Sequence, residues 1–218
     1  MRDEITSIAI EDYLTGLMPE RPEAFATLER NAHEHGWPLV GPVQGQFLYL
    51  LAKSSGARDA LEIGTATGYA AMWLLKAIAA NGGMLEAIER RPDRIALAQS
   101  SIASAGFSAH FRVYQGEWFS QLSLLTNTYD LIFLDILRNL TNEVDSLRAL
   151  DLCVPLIRPG GLLIVDNVLC SGLVLEDDPA PIVRGIQQFN RAIMRHPEFE
   201  SVILPVRDGV ALCRKRDS

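Results

Sequence analysis

The sequence predicts an α/β protein: a mostly parallel sheet with helices on both faces and an antiparallel hairpin at its C-terminal edge. Two patterns carry that expectation. From residue 58 onward, short apolar runs alternate with helical stretches. The runs are ALEIG at 60–64, MLEAIE at 84–89, HFRVY at 110–114, YDLIFLD at 129–135 and GLLIVDN at 161–167, and strands separated by helices pair in parallel. Near the end, ESVILPV and GVALCRK are joined through Arg207-Asp208-Gly209, and Asp-Gly between two apolar runs signals a hairpin.

Three helical patterns precede the first strand, at 3–18, 22–35 and 42–55, the last with Phe47, Leu50, Leu51 and Ser54 on one face. Between the strands lie AAMWLLKAIAA, with a core stripe of Trp73, Leu74 and Ile78, then PDRIALAQSSIASAG, a short segment at 117–125 and a long helix around 140–157. A further helix is expected at 180–195. The intervening 168–181, with Gly172, Asp177, Asp178, Pro179 and Pro181, reads as a mobile loop. With no repeat, low-complexity tract or linker, residues 1–218 read as one domain, N-terminal helices to 56 and an α/β core from 57.

Composition narrows the function classes. The 218 residues are 48% hydrophobic and 22% charged, with 16 Gly and 11 Pro, which excludes collagenous and disordered classes. A formal net charge of −7 repels a phosphate backbone, so nucleic acid is not an expected partner. Arg214-Lys215-Arg216 is too short for a polybasic anchor. The acidic start MRDEITSIAIEDY does not suit a signal peptide, and Lys76, Asp135 and Asp166 interrupt the apolar runs, so no membrane span is expected. The scattered Cys153, Cys170 and Cys213 have no metal-ligand or redox spacing, and the chain reads as reduced and cytoplasmic.

The turn after the first strand, GTATG, places Gly64 and Gly68 where a helix begins, so that a ligand can approach the backbone. The spacing is G-x-x-x-G, short of the dinucleotide fingerprint, and a P-loop Lys-Ser or Lys-Thr is missing. Glu62, two residues before Gly64, would repel a pyrophosphate but accepts hydrogen bonds from an ammonium group. Glu89 at the end of the second strand suits ribose hydroxyls. Together the two acids suit S-adenosyl-L-methionine, with its amino group, sulfonium and ribose. The alternatives are a tight turn and two solvated strand ends, or a nicotinamide-dependent oxidoreductase.

Asp135 ends the fourth strand and Asp166-Asn167 the fifth, gathering three oxygen donors at the carboxyl edge, where open α/β sheets bind ligands. Two carboxylates and an amide suit Mg²⁺ or another hard divalent cation. Taken singly, Asp135 also suits a helix N-cap and Asp166-Asn167 a turn.

The chain resembles the metal-dependent O-methyltransferases, which include catechol and caffeoyl-CoA O-methyltransferases and small bacterial relatives. The resemblance rests on GQFL at 45–48, LEIGTATGYA at 61–70, AIER at 87–90, YDLIFLD at 129–135, PGGLLIVDNVLCSGLV at 159–174, FN at 189–190 and LPVRDGVALCRK at 204–215. It implies a seven-stranded Rossmann-like sheet, S-adenosyl-L-methionine as methyl donor, a divalent metal, a small aromatic diol as acceptor and a homodimer, to which an apolar edge of Ile5, Ile8, Ala9 and Asp12 could contribute. By matching position, Glu62 meets the methionine amino end and Gly64, Thr65 and Gly68 the cofactor. Glu89 and Arg90 adjoin the ribose, Gly116, Glu117 and Trp118 the adenine, Val40 the methionine end, and Asp135 both cofactor and metal. The metal set is Asp135, Asp166 and Asn167.

The sequence departs from the family at two places. Ala70 stands where the family usually has a Ser that touches the cofactor carboxylate. DILR at 135–138 stands where D-A-D-K is common, so Leu137 removes an acid and Arg138 replaces a basic Lys. A guanidinium does not deprotonate in proteins, so Arg138 is expected to hold a phenolate by its charge. The other readings are an ion pair between Arg138 and Asp135 or Glu143, and a cofactor-binding relative that has lost catalysis. His33, His35, His110 and His196 read as structural or surface residues, Trp37 as packing and Cys170 as no nucleophile.

Overall fold

A computed structural model describes residues 5–217; the first residues of the expected helix 3–18 lie outside that span. The chain forms two compact bodies. One holds Ile8–Trp118, and the other holds Phe119 onward together with the segment ending at Ser7.

In the first body, α1 (Ile8–Gly16) buries none of its residues and exposes Ile8, Ile10 and Tyr13. The second helix, α2 (Glu23–His35), buries Phe25, Leu28 and Ala32 and stops at Gly36. With φ at 66°, Gly36 takes the left-handed cap that glycine adopts without strain, and its N–H donates to Ala32 O. The face of α3 (Gly41–Ser54) differs from the sequence expectation. It buries Gln44, Gly45, Leu48 and Ala52, whereas Leu50 is 51% exposed. The cause is the neighbouring helix α4 (Tyr69–Ile78), whose Trp73 indole lies so close to Gly45 that a Cβ there would sit 2.2 Å from Nε1. The smallest residue, and not the most apolar stripe, sets the rotation of α3.

Three parallel strands complete this body: β1 (Asp59–Ile63), β2 (Met84–Glu89) and β3 (Phe111–Gln115), with α5 (Pro92–Ser104) between the last two. β1 and β2 bury consecutive residues, which requires cover on both faces, since alternate side chains point to opposite sides. The register pairs Ile63 with Ile88 and Glu89 with Gln115, so all three strands finish at one edge.

A short helix, α6 (Trp118–Leu122), leads into the second body. There β4 (Tyr129–Leu134) and β5 (Ile157–Asp166) pair in parallel, with α7 (Glu143–Cys153) between them in sequence. α7 is capped by Asn142, whose side chain accepts the Val144 and Asp145 N–H groups. β5 starts four positions earlier than its apolar run, because Ile157 already pairs with Tyr129 across a register irregularity. α8 (Pro181–Arg195) packs on α7 through Gly185, where a Cβ would meet Glu143 Cα at 2.8 Å. The hairpin of β6 (Phe199–Leu204) and β7 (Val210–Lys215) is present, with the later strand inserted: β7 runs antiparallel to β5, and β6 lies outside it.

Among the described residues there are thus seven strands, mostly parallel with antiparallel pairing at the C-terminus, as the sequence predicts. The basic cluster is neutralised locally: Arg214 pairs with Asp217, Lys215 with Glu198 and Arg216 with Glu200. No described helix is long and apolar enough to cross a membrane.

The α3–α4 approach gives a direct test. Gly45→Ala is expected to destabilise the protein by about 1–3 kcal/mol in urea unfolding, because the buried indole must move. Gly16→Ala, which meets nothing within 4 Å, is expected to stay within about 0.5 kcal/mol of wild type.

Candidate functional site

The carboxyl edge of the first body is built around a charge without a protein counterpart. Glu62 is 1% exposed, and neither carboxylate oxygen has a hydrogen-bond partner. Burial pushes its carboxyl group up to about 7; Thr65 lies near enough to temper the shift, and the Glu89 charge adds to it. The buried hydroxyls of Thr65 and Thr67 also lack partners. The intervening loop takes a left-handed path at Gly64 (φ 95°), Ala66 (φ 47°) and Gly68 (φ 85°). Glycine is needed at 68 for space as well, since a Cβ would lie 3.0 Å from Ala98 Cα on α5.

Glu89 holds this loop. One carboxylate oxygen accepts the Ala66 N–H at 3.1 Å, and the other accepts the Arg90 and Arg91 N–H groups at 2.9 and 3.0 Å. Its own carbonyl accepts the Gly116 N–H at 3.1 Å. Exposed Arg90 stacks over the buried Trp118 ring at 4.4 Å, and the Trp118 indole N–H has no partner. Glu62, Gly64, Thr65, Gly68, Glu89, Arg90, Gly116 and Trp118 therefore share one edge, with Glu117 exposed beside them. Val40 and Ala70 are buried at the starts of α3 and α4. The unpartnered carboxylate, hydroxyls and indole fit the ammonium and polar groups of S-adenosyl-L-methionine. A neutral ligand would leave Glu62 uncompensated.

Sequence reasoning did not reveal the support behind this edge. Tyr69 Oη donates to Glu29 Oε1 on α2 at 2.6 Å, and Arg21 Nε reaches the same carboxylate at 2.7 and 2.8 Å. Forty residues separate Tyr69 from Glu29, so no local periodicity could signal the pair.

In the second body the last parallel register pair is Leu134–Val165. Asp135 follows directly on the end of β4, and Asp166 is the last residue of β5, each one step beyond that pair. Asp166 is 4% exposed, and one of its oxygens accepts the Asn167 N–H at 2.8 Å. Asn167 adopts φ 62°, a region that Asn tolerates better than most residues. Carboxylate and amide oxygens are donor types that a hard divalent cation takes. No group of three His, Cys, Asp or Glu that could hold a metal ion gathers among the described residues. Leu137 is fully buried. Arg138 pairs with Asp208 at 3.1 Å and donates to Ser171 Oγ at 3.2 Å. Its expected neighbour Glu143 pairs instead with Arg184.

The other residues keep structural roles. His33 and His35 are exposed, His35 stacks on Trp37, His110 bonds Gly83 O and His196 Nδ1 accepts the Glu198 N–H. All three cysteines are free and buried, with their thiols pushed up by burial. The expected mobile loop is tethered: Asn190 bonds Val168 O, and Gln187 bonds Val174 O and Glu176 O.

Glu62 gives the ligand-free protein a pH dependence. Its folded value of about 7 lies above the ordinary 4.5, so the folded state holds the proton more tightly. Stability is fully present below about 4.5 and is lost as pH rises through about 7, by roughly 3 kcal/mol. Glu62→Gln is expected to remove that loss. Urea unfolding of the ligand-free proteins at pH 5 and pH 8 checks it, the variant gaining on wild type at the higher pH.

With this geometry in view, comparison with known proteins is decisive for the family. A profile described as O-methyltransferase matches residues 19–216. The chain is 30% identical over 216 residues to a catechol O-methyltransferase of Niastella koreensis, covering 94% of this chain and 95% of that protein. A solved O-methyltransferase from Bacillus cereus in complex with SAH superposes with a TM-score of 0.82 at 26% identity, covering 95% of this chain and 97% of that one. The O-methyltransferase TomG of Streptomyces achromogenes, in complex with SAM, gives 0.81 at 25% identity, covering 99% and 100%. The chain belongs to the O-methyltransferase family.

Proposed function

We propose that the chain transfers the methyl group of S-adenosyl-L-methionine to a hydroxyl of a small aromatic diol, with Mg²⁺ or another divalent cation held by Asp135, Asp166 and Asn167. The observation that carries the reading is the buried, unpartnered Glu62 carboxylate at the end of β1, which calls for a cationic ligand. The catechol and caffeoyl-CoA O-methyltransferases among its relatives support an aromatic acceptor.

In this reading Glu62 pairs with the cofactor's ammonium group, and the backbone of 64–68 lies along its methionine portion. Glu89, pre-oriented by three main-chain N–H bonds, accepts from the ribose hydroxyls, and Trp118 packs against the adenine. A divalent cation held there would favour the ionised form of the acceptor hydroxyl at neutral pH, its proton passing to solvent. Asp135, Asp166 and Asn167 are the residues that would hold that cation and so set the place of the acceptor. Holding the oxygen in line with the methyl group is a proximity effect, and the opposite charges of phenolate and sulfonium cancel during transfer. Arg138 cannot accept the hydroxyl proton, and Asp208 already engages its charge.

The same reading makes the protein a cytoplasmic homodimer, supported by the free buried thiols and by the exposed apolar residues of α1. Sedimentation equilibrium is expected to give twice the chain mass; a monomer at micromolar concentration would overturn the dimer.

The test of function is transfer of labelled methyl from S-adenosyl-L-methionine to a panel of vicinal dihydroxy aromatics, with Mg²⁺ or with a chelator. Transfer that the chelator abolishes is expected, together with a loss of 100-fold or more (~10²) in Asp166→Ala, as for removal of a group that orients a reactant. Cofactor binding without transfer to any diol would favour the reading as a relative that has lost catalysis.

A further inference from the structure

Arg138 lies in the 3₁₀ turn Leu137–Asn139 directly after β4. Its Nη1 donates to Asp208 Oδ2 at 3.1 Å and to Ser171 Oγ at 3.2 Å. Asp208 sits in the β6–β7 turn between Arg207 and Gly209, both left-handed at φ 48° and 83°. Its other carboxylate oxygen accepts the Ser171 main-chain N–H, and its carbonyl accepts the Leu169 N–H at 2.9 Å. Gly209 completes the seam: its carbonyl accepts the Val168 N–H at 3.2 Å, and a Cβ there would lie 2.3 Å from Leu169 Cγ. One carboxylate thus joins three segments that the sequence holds 33 and 70 residues apart.

The segment joined in this way is unusual. Asn167, Cys170, Ser171 and Gly172 all adopt positive φ, at 62°, 47°, 53° and 78°. Three of the four carry a Cβ, and such conformations persist only where the surroundings fix them. The segment begins with Asn167, directly after Asp166, so its path decides where the amide of Asn167 and the hydroxyl of Ser171 stand at the acidic edge. An exposed ion pair alone would do little here. Asp208, however, is only 18% exposed on its side chain and also takes a main-chain N–H, a charge-assisted bond of the stronger kind.

We propose that Arg138 and Asp208 form a latch that fixes residues 167–172 and thereby positions the acceptor side of the site. Both are positioning residues, and the Arg in DILR serves the loop and not the proton transfer. The acceptor role rests on the O-methylation reading; the latch itself does not.

Hydrogen exchange of the full chain, with S-adenosylhomocysteine bound, tests the latch in wild type, Arg138→Ala, Asp208→Asn and the double variant. Each single change is expected to speed exchange across 168–175 by roughly 10-fold to 100-fold, the range of one charge-assisted bond. The double variant should go no faster than the faster single, because both remove one coupled unit. Unchanged exchange in either single variant, or additive acceleration in the double, would overturn the latch. In the methyl-transfer assay both single variants should raise the diol KM several-fold, leaving kcat within about 2-fold and S-adenosylhomocysteine affinity unchanged. A kcat loss confined to Arg138→Ala would return Arg138 to a direct charge role and overturn the positioning role. Failure of wild type to methylate any diol would remove the reading beneath the acceptor role, while the exchange measurement would still decide the latch.

Discussion

A carboxylate buried without a partner is among the costliest features a fold can hold, and in this chain the arrangement of the first body is organised around one. Glu62 is desolvated at the end of β1, and the nearest strong negative group, Glu89, opposes its ionisation further. A protein selected for stability alone would replace it with a neutral residue. Its presence makes sense when the missing counter-charge arrives with a ligand. The surrounding features serve the same end: a left-handed loop leaves the backbone open, Glu89 fixes that loop through its N–H groups, and α2 braces the start of α4 through Glu29 and Tyr69.

The same economy of placement recurs in the second body. Positive φ recurs where parallel strands end, at Gly64, Ala66 and Gly68 after β1, at Gly116 after β3, and at Asn167, Cys170, Ser171 and Gly172 after β5. Regular ladders deliver the carboxylates to an edge, and the departures from regularity then aim the groups around them. Asp135 and Asp166 each follow directly on the last register pair, Leu134 with Val165. The loop that follows needs Asp208, from a distant turn, to hold its shape.

Much of this was legible in the sequence because it is local or follows from the ladder. The strands announced themselves as apolar runs, and Glu62, Glu89, Asp135 and Asp166 could be placed at strand ends by counting along them. The rotation of α3 was not legible, since the apolar stripe of Leu50 and Leu51 lost to the fit of Gly45 against Trp73. The order of the last two strands was hidden as well, because a hairpin signal does not say which strand joins the sheet. The pairing of Arg138 with Asp208 was hidden for a similar reason. Proximity in sequence suggests only nearby acids such as Asp135 or Glu143, and the chain also brings Asp208 back from 70 residues away. Glu29 and Tyr69 meet across helices in the same manner. Contacts of this kind carry no periodic signature.

The central claim is that Glu62 is the counter-charge for a cationic cofactor. It is tested most directly by isothermal titration of S-adenosylhomocysteine into the protein at pH 6, in buffers of different ionisation enthalpy. With a carboxyl value of about 7 before binding, Glu62 is mostly neutral at that pH and must ionise to pair with the ammonium group. The account predicts release of close to one proton on binding, and the loss of that release, with weaker binding, in Glu62→Gln. Binding of equal affinity in both proteins with no proton released would contradict it.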